Sequence, residues 1–162
     1  MTYYSESTVR GLGRTRAGLV AGGAPEVLRK AASTGTFDIF LSHSFRDAEL
    51  ILGVKEILES SGETVYVDWI SDPQLDRSRV VVSTAHTLRQ RMSQCRGLVY
   101  ASTVAATHSK WMPWELGYFD GLRGSENVAV MPLGLAVGRP SEWAGVLGPL
   151  SIGAGVPTQD IG

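Results

Sequence analysis

The stretch Phe37-Asp38-Ile39-Phe40-Leu41-Ser42-His43-Ser44 runs from a short block of strand formers directly into a polar turn. Just beyond it Asp47 is placed to cap a helix in which Leu50, Ile51, Val54, Ile57 and Leu58 recur at helical spacing. Gly62 stands where such a helix stops. The unit then repeats. Thr64-Val65-Tyr66-Val67-Asp68-Trp69 reads as a second strand, and a long polar loop follows through Asp72-Pro73 to Arg79. Ser83 to Gln94 reads as a helix, Leu98 to Ala101 as a strand, Pro113 to Arg123 as a helix closed by Gly124, and Val128 to Leu133 as a fourth strand. Strands that alternate with helices of this length pair in parallel through right-handed crossovers, which predicts an α/β fold with a doubly wound parallel sheet. In such sheets ligands bind beyond the carboxyl ends of the strands. That rule picks out Ser42 to Arg46, Asp68 to Arg79, Ser102 to Trp111 and the loop after Leu133, with Glu115 in the first turn of the helix that leaves the third.

Outward from this core the pattern thins. Residues 1–36 read as a basic leader, punctuated by glycine from Gly11 to Gly23, with Pro25 opening a short helix that carries Val27, Leu28, Ala31 and Ala32 on one side. The leader has net charge +3 and the remainder −4. The predicted organisation is therefore a leader over 1–36, one domain over 37–150 that includes a short helix near Glu142–Leu147, and a flexible tail over 151–162. At 162 residues, 43% hydrophobic and 19% charged, the chain suits one globular domain. A net charge of −1 gives no overall field toward nucleic acid or a membrane surface. Cys95 is the single cysteine, so no intrachain disulfide forms, and it reads as a small apolar residue near a helix end. There is no secretory signal pattern and no apolar run near the roughly 20 residues that span a bilayer. The expectation is a cytoplasmic protein.

Several chemistries have no support. The chain has neither a G-x-x-x-x-G-K-[ST] loop nor a G-x-G-x-x-G after a strand. His43, His86 and His108 lack metal-ligand spacing, so no metal is expected. The informative segment is Ser109-Lys110-Trp111-Met112-Pro113-Trp114-Glu115-Leu116-Gly117-Tyr118, where two tryptophans flank one carboxylate at a helix start. Spacing alone reads Glu115 equally as a capping-box glutamate after Pro113, with Trp111, Trp114 and Tyr118 as core or rim aromatics.

Two of these elements resemble one family. Phe37 to Ser44 is similar to the opening strand and loop of Toll/interleukin-1 receptor (TIR) domains, which read D-[VI]-F-[IL]-S-[HY]. Ser109-x-Trp111-x-x-x-Glu115-Leu116 is similar to the family element S-x-W-x-x-x-E-L. The strand at Val65 to Asp68 and the long loop after it match the family's second strand and BB loop. The resemblance covers about Phe37 to Leu133, and Pro113-Trp114 departs from what relatives often place there. It implies a flavodoxin-like TIR fold of the bacterial stand-alone, NAD-cleaving type, which includes Thoeris-like defence proteins.

By resemblance Glu115 is the catalytic glutamate, Trp111 an aromatic wall, and Ser42, His43, Ser44, Phe45 and Arg46 line the nucleotide. Asp68 and Trp69, at the end of the second strand, join the substrate-binding set. NAD⁺ is then the substrate and no cofactor is needed. The chemistry suits a single carboxylate: ordinary glycosidases need a second group to protonate the departing oxygen, whereas nicotinamide leaves NAD⁺ as a neutral molecule. Products open at this point are ADP-ribose, a cyclic ADP-ribose-type messenger, or a base-exchanged conjugate. Implied partners are a second copy reached through loop 70–79, with Asp76 and Arg77 at the contact, and a separate effector protein that reads the messenger in antiphage defence. Two other readings stay open: a non-catalytic TIR scaffold acting by self-association, and a deoxyribosyltransferase-like enzyme. A response-regulator receiver does not fit, because Ser42-His43-Ser44 and Ala101-Ser102-Thr103 stand where it needs acidic residues.

Overall fold

In the computed structural model the described residues are 5–20, 35–72 and 74–133. They form α1 (Glu6–Val20), β1 (Phe37–Ser42), α2 (Ala48–Ser60), β2 (Val65–Tyr66), α3 (Asp68–Ser71), α4 (Val82–Ser93), β3 (Cys95–Ser102), α5 (Met112–Arg123) and β4 (Val128–Pro132). Short 3₁₀ turns at Phe45–Asp47, Ala105–His108 and Ser125–Asn127 join them. The four strands are parallel in the order β2-β1-β3-β4. Leu41 and Ser42 pair with Val99 and Tyr100, which sets the ends of β1 and β3 side by side. The chain leaves β1 toward β2 and then crosses to β3, so the topological switch point falls between β1 and β3. That crevice is where an open α/β sheet holds its ligand.

Alternation along β3 sends Leu98 and Tyr100 to one face and Val99 and Ala101 to the other. On the first face they pack with Leu88 and Met92 of α4 and Met112, Leu116 and Phe119 of α5. On the second they join Leu50, Ile51, Val54, Ile57 and Leu58 of α2, together with Val9 of α1. Gly62 and Gly124 close α2 and α5 with φ of 87° and 88°, a region where a side chain would be strained.

Three local expectations change. The second strand is only two residues long, because Val67 turns its carbonyl to the amides of Ile70 and Ser71 and Asp68 accepts the amide of Trp69 at 2.7 Å. Local hydrogen bonding at Asp68 outweighs the strand propensity of Val67 and Trp69. The third strand is longer than Leu98–Ala101, since the 37–42 strand offers it partners back to Cys95. Cys95 accordingly opens β3, and burial pushes its thiol up to about 12. Asp47 makes no side-chain capping bond; its carboxylate accepts from Arg10 at 3.3 Å and from Thr103 at 2.9 Å.

The segment read as a leader contributes α1, which the glycine-punctuated pattern does not suggest. Its packing explains the glycines. A Cβ at Gly13 would lie 1.8 Å from the carbonyl oxygen of Glu49, and one at Gly53 would lie 1.9 Å from that of Val9. The two helices therefore cross with their backbones nearly touching. Of the flanking ion pairs, Arg14–Glu49 is too exposed to set this crossing, whereas Arg10–Asp47 is partly buried. The expected helix at Pro25–Ala32, the one near Glu142–Leu147, the loop after Leu133 and the tail lie outside the described residues.

Gly53→Ala weighs helix propensity against overlap. Alanine gains about 1 kcal/mol as a helix former, but forced overpacking costs roughly 1–3 kcal/mol or more. The melting temperature, followed by circular dichroism, is expected to fall by about 2–4 °C per kcal/mol of net loss. An unchanged or higher melting temperature would contradict the close crossing.

Candidate active site

Ser42 ends β1, so its side chain is fixed by a central strand at the switch point. Glu115 reaches the same point from the first turn of α5, which starts at Met112 with Pro113 in its first turn. The Met112 amide is capped by Ser109 Oγ at 3.2 Å. Glu115 is therefore free of capping duty, and its side chain points into the protein rather than back along the helix. It is fully buried, and both carboxylate oxygens are taken: Ser42 Oγ donates to Oε2 at 2.6 Å and Arg77 Nη2 to Oε1 at 2.7 Å. The capping-box alternative is thereby excluded.

Arg77 comes from the loop after α3 and is the functional-looking residue that the sequence reading placed on the surface. Its side chain is only 13% exposed. While Nη2 holds Glu115, Nη1 donates to Asp68 Oδ2 at 2.6 Å. One guanidinium thus bridges two buried carboxylates. Asp68 also faces His43 Nε2 at 3.3 Å, and His43 Nδ1 lies 2.9 Å from the Leu41 carbonyl. Burial, helped by the Asp68 charge, pushes the Glu115 carboxyl above its ordinary range, against the opposing pull of Arg77 and Ser42. Asp68 is also penalised by burial, yet the hydrogen bond and charge of His43, with those of Arg77, hold it well below the usual carboxylate range.

The backbone of the same loop is pinned independently. Trp111 Nε1 donates to the Arg77 carbonyl at 3.0 Å, and Thr84 Oγ1 to the Asp76 carbonyl at 2.9 Å. At the loop's start Arg91 grips Asp72 with two bonds of 2.7 Å, and Tyr66 adds a third of the same length. Burial and the adjacent Asp72 push the Tyr66 hydroxyl far above its ordinary range, so it stays a donor.

Of the residues singled out in the sequence, Ser42, His43, Asp68 and Glu115 converge on one cluster. Ser44 is buried next to it in sequence, and Arg46 is exposed. Phe45 opens the 3₁₀ turn after β1. Trp69 packs against the α2 side of the sheet, away from the cluster that holds Trp111. Its indole nitrogen is buried with no hydrogen-bond partner among the described residues. Trp111 is 5% exposed and stands edge-on to Trp114 at 5.4 Å, so its ring belongs to the core as well as bracing the loop. Replacing it by alanine would therefore remove core packing, an effect of about 3–5 kcal/mol. Arg77 was legible only as one charge among several in a polar loop; no local pattern shows that it turns inward.

A parallel sheet in this order is a flavodoxin-like arrangement, and comparison with known proteins bears out the resemblance noted in the sequence. No protein-family model matches the chain. Over 97 residues, 60% of the chain, it is 56% identical to a Bacillus cereus (strain MSX-D12) protein named "Probable 3' cyclic ADP-D-ribose synthase ThsB'", of which the match covers 49%. Over 83 residues, 51% of the chain, it is 31% identical to "Putative cyclic ADP-D-ribose synthase TIR2" of Cytobacillus dafuensis, covering 22% of that protein. The chain thus spans about half the length of the first relative and less of the second.

Breaking a buried ion pair from one side costs more than the pair contributes, because the abandoned charge stays buried. Arg77→Gln is expected to lose about 3 kcal/mol in urea unfolding. Adding Glu115→Gln to the same chain should recover part of it, with a coupling energy above about 1 kcal/mol. Additive losses would contradict the bridge.

Proposed function

We propose that this chain cleaves the nicotinamide–ribose bond of NAD⁺ and closes the ADP-ribosyl group into a cyclic ADP-ribose-type messenger, with Glu115 as the catalytic group. The observation that carries this reading is a fully buried carboxylate held at the sheet's switch point, in a chain similar to two proteins named as cyclic ADP-ribose synthases. Nicotinamide departs with the electron pair of the glycosidic bond and becomes neutral, so no proton need be supplied. What the reaction demands is negative charge beside the anomeric carbon as it becomes cationic, in a site that excludes water. Glu115 answers that demand, and Ser42 fixes one of its oxygens from a rigid strand. An internal nucleophile of the same molecule then bonds to the anomeric carbon and releases a proton, giving a cyclic product; water in its place gives ADP-ribose. The messenger would act on a separate effector protein in cytoplasmic antiphage defence. No helix among the described residues is long and apolar enough to cross a membrane.

Assembly is part of the proposal. With Arg77 turned inward, the outward face of the loop includes, among the described residues, Gln74, Asp76, Ser78 and Arg79, followed by Val80, which is 65% exposed. A polar rim around an apolar residue suits contact with a second copy. Specific activity is expected to rise with protein concentration, and Arg79→Glu to suppress the rise while the melting temperature holds. Flat specific activity in a protein monomeric throughout would contradict this.

The direct test incubates the protein with NAD⁺ and resolves products by chromatography and mass. The expected products are nicotinamide and a species one water lighter than ADP-ribose. Glu115→Gln, in which Arg77 keeps Asp68 as its partner, should still fold, with some loss of stability, and lose at least about 10³-fold in turnover. Absence of nicotinamide release at every protein concentration, or near-normal turnover by the variant, would overturn the reading; cleavage of deoxynucleosides instead would favour a deoxyribosyltransferase.

A further inference from the structure

We propose that the Arg77 guanidinium occupies the place of the substrate's cationic end, so that binding exchanges an internal cation for an external one and the site selects N-glycosides whose base is positively charged. This rests on the reading of Glu115 as the carboxylate that faces the reacting sugar. Glu115 has no exposed surface, and each of its oxygens already accepts a short hydrogen bond. A ribose can reach it only if one partner leaves. Ser42 is held by its strand, whereas Arg77 reaches in from a loop on a long side chain with several rotatable bonds. Arg77 is therefore the partner that goes.

The loop need not open for this to happen. The carbonyls of Asp76 and Arg77 are tied to Thr84 and Trp111, and Asp72 to Arg91 and Tyr66. None of these bonds involves the Arg77 head. The side chain can swing out while its backbone stays, which distinguishes exchange of a head group from movement of the whole loop. Once it has gone, Asp68 and Glu115 are left, among the described residues, with His43 as the basic side chain facing them. Two carboxylates then face one imidazole, and the vacated place lacks the cation that bridged them. A buried place of that kind rejects neutral and anionic groups and takes a cation. The pyridinium end of a dinucleotide is a planar cation that meets this requirement, as does any other N-glycoside with a quaternised ring nitrogen.

While Arg77 is seated the competent state is a minor one, and apparent affinity is reduced by its fraction. Removing the resident cation should therefore tighten binding and open the place to a small substitute. Full-length wild type, Arg77→Ala and Arg77→Lys would be compared in thermal melts and in NAD⁺ kinetics, with guanidinium chloride at about 5–20 mM, sodium chloride at equal ionic strength, and urea as the neutral isostere. Expected are a rise in melting temperature with guanidinium alone, in Arg77→Ala but not in wild type. In kinetics the KM of Arg77→Ala should fall by about five-fold or more, with guanidinium a competitive inhibitor. Arg77→Lys, whose single ammonium cannot bridge both carboxylates as a fork does, should also have a lowered KM, and it serves if the alanine variant does not fold. NADH, with its neutral ring, should compete at least about ten-fold more weakly than a non-cleavable cationic analogue, a difference of about 1.4 kcal/mol. Equal responses to urea and guanidinium, an unchanged or higher KM in both variants, or equal competition by NADH would overturn the proposal. The melts involve no turnover, so they test the cation place even if NAD⁺ proves not to be cleaved.

Discussion

A single guanidinium lying between two carboxylates organises the candidate site. Asp68 and Glu115 come from different elements, one opening a four-residue helix and the other in the first turn of α5. Both are buried, and two unpaired carboxylates so placed would be very costly. Arg77 makes the arrangement tolerable, from a loop whose course between Asp72 and Arg79 is held by other bonds. The loop's other ties, to Thr84, Trp111, Arg91 and Tyr66, put Arg77 within reach of both acids. The length and polarity of that loop suggest a mobile connection; its hydrogen bonds describe a fixed one.

The fold serves this arrangement in a simple way. Parallel strands with β1 and β3 adjacent bring Ser42 and the approach to α5 to one crevice. Helices on both faces supply the low-dielectric walls in which a carboxylate acts strongly on developing charge. Asp47 joins the turn after β1 to Thr103 after β3, and Arg10 brings α1 into the same network. The close crossing of α1 and α2 thus lies one hydrogen bond away from the loops around the site.

Much of this was legible in the sequence because the elements are strongly periodic. The helix over Ala48–Ser60 and the β3 and β4 strands declare themselves by where their apolar residues fall, and the glycines at 62 and 124 mark helix ends by conformational need. Glu115 was legible as a carboxylate at a helix start, although its partners were not. What escaped depended on contacts distant in sequence. Asp47 has the residue type of a cap but spends its carboxylate on residues 37 positions before and 56 positions after it. Arg77 looks like a surface charge, and only the 38-residue separation closed by its bond to Glu115 reveals otherwise. Trp69 and Trp111 read alike as ligand-edge aromatics, yet they fall on opposite faces of the sheet, a difference set by the turn at Val67. The α1 helix was hidden because its glycines, which weaken a helix by propensity, are required by its packing.

The central claim is that Glu115 faces the anomeric carbon once Arg77 has withdrawn. A crystal structure of Glu115→Gln with NAD⁺ bound measures this directly. The expected result is the nicotinamide-bearing ribose carbon about 3–3.5 Å from the side chain at position 115, the range of a near-attack arrangement, with the Arg77 head turned away from both acids and its carbonyl still bonded to Trp111. A nucleotide bound elsewhere, with the Arg77 head still seated between Asp68 and position 115, would contradict it.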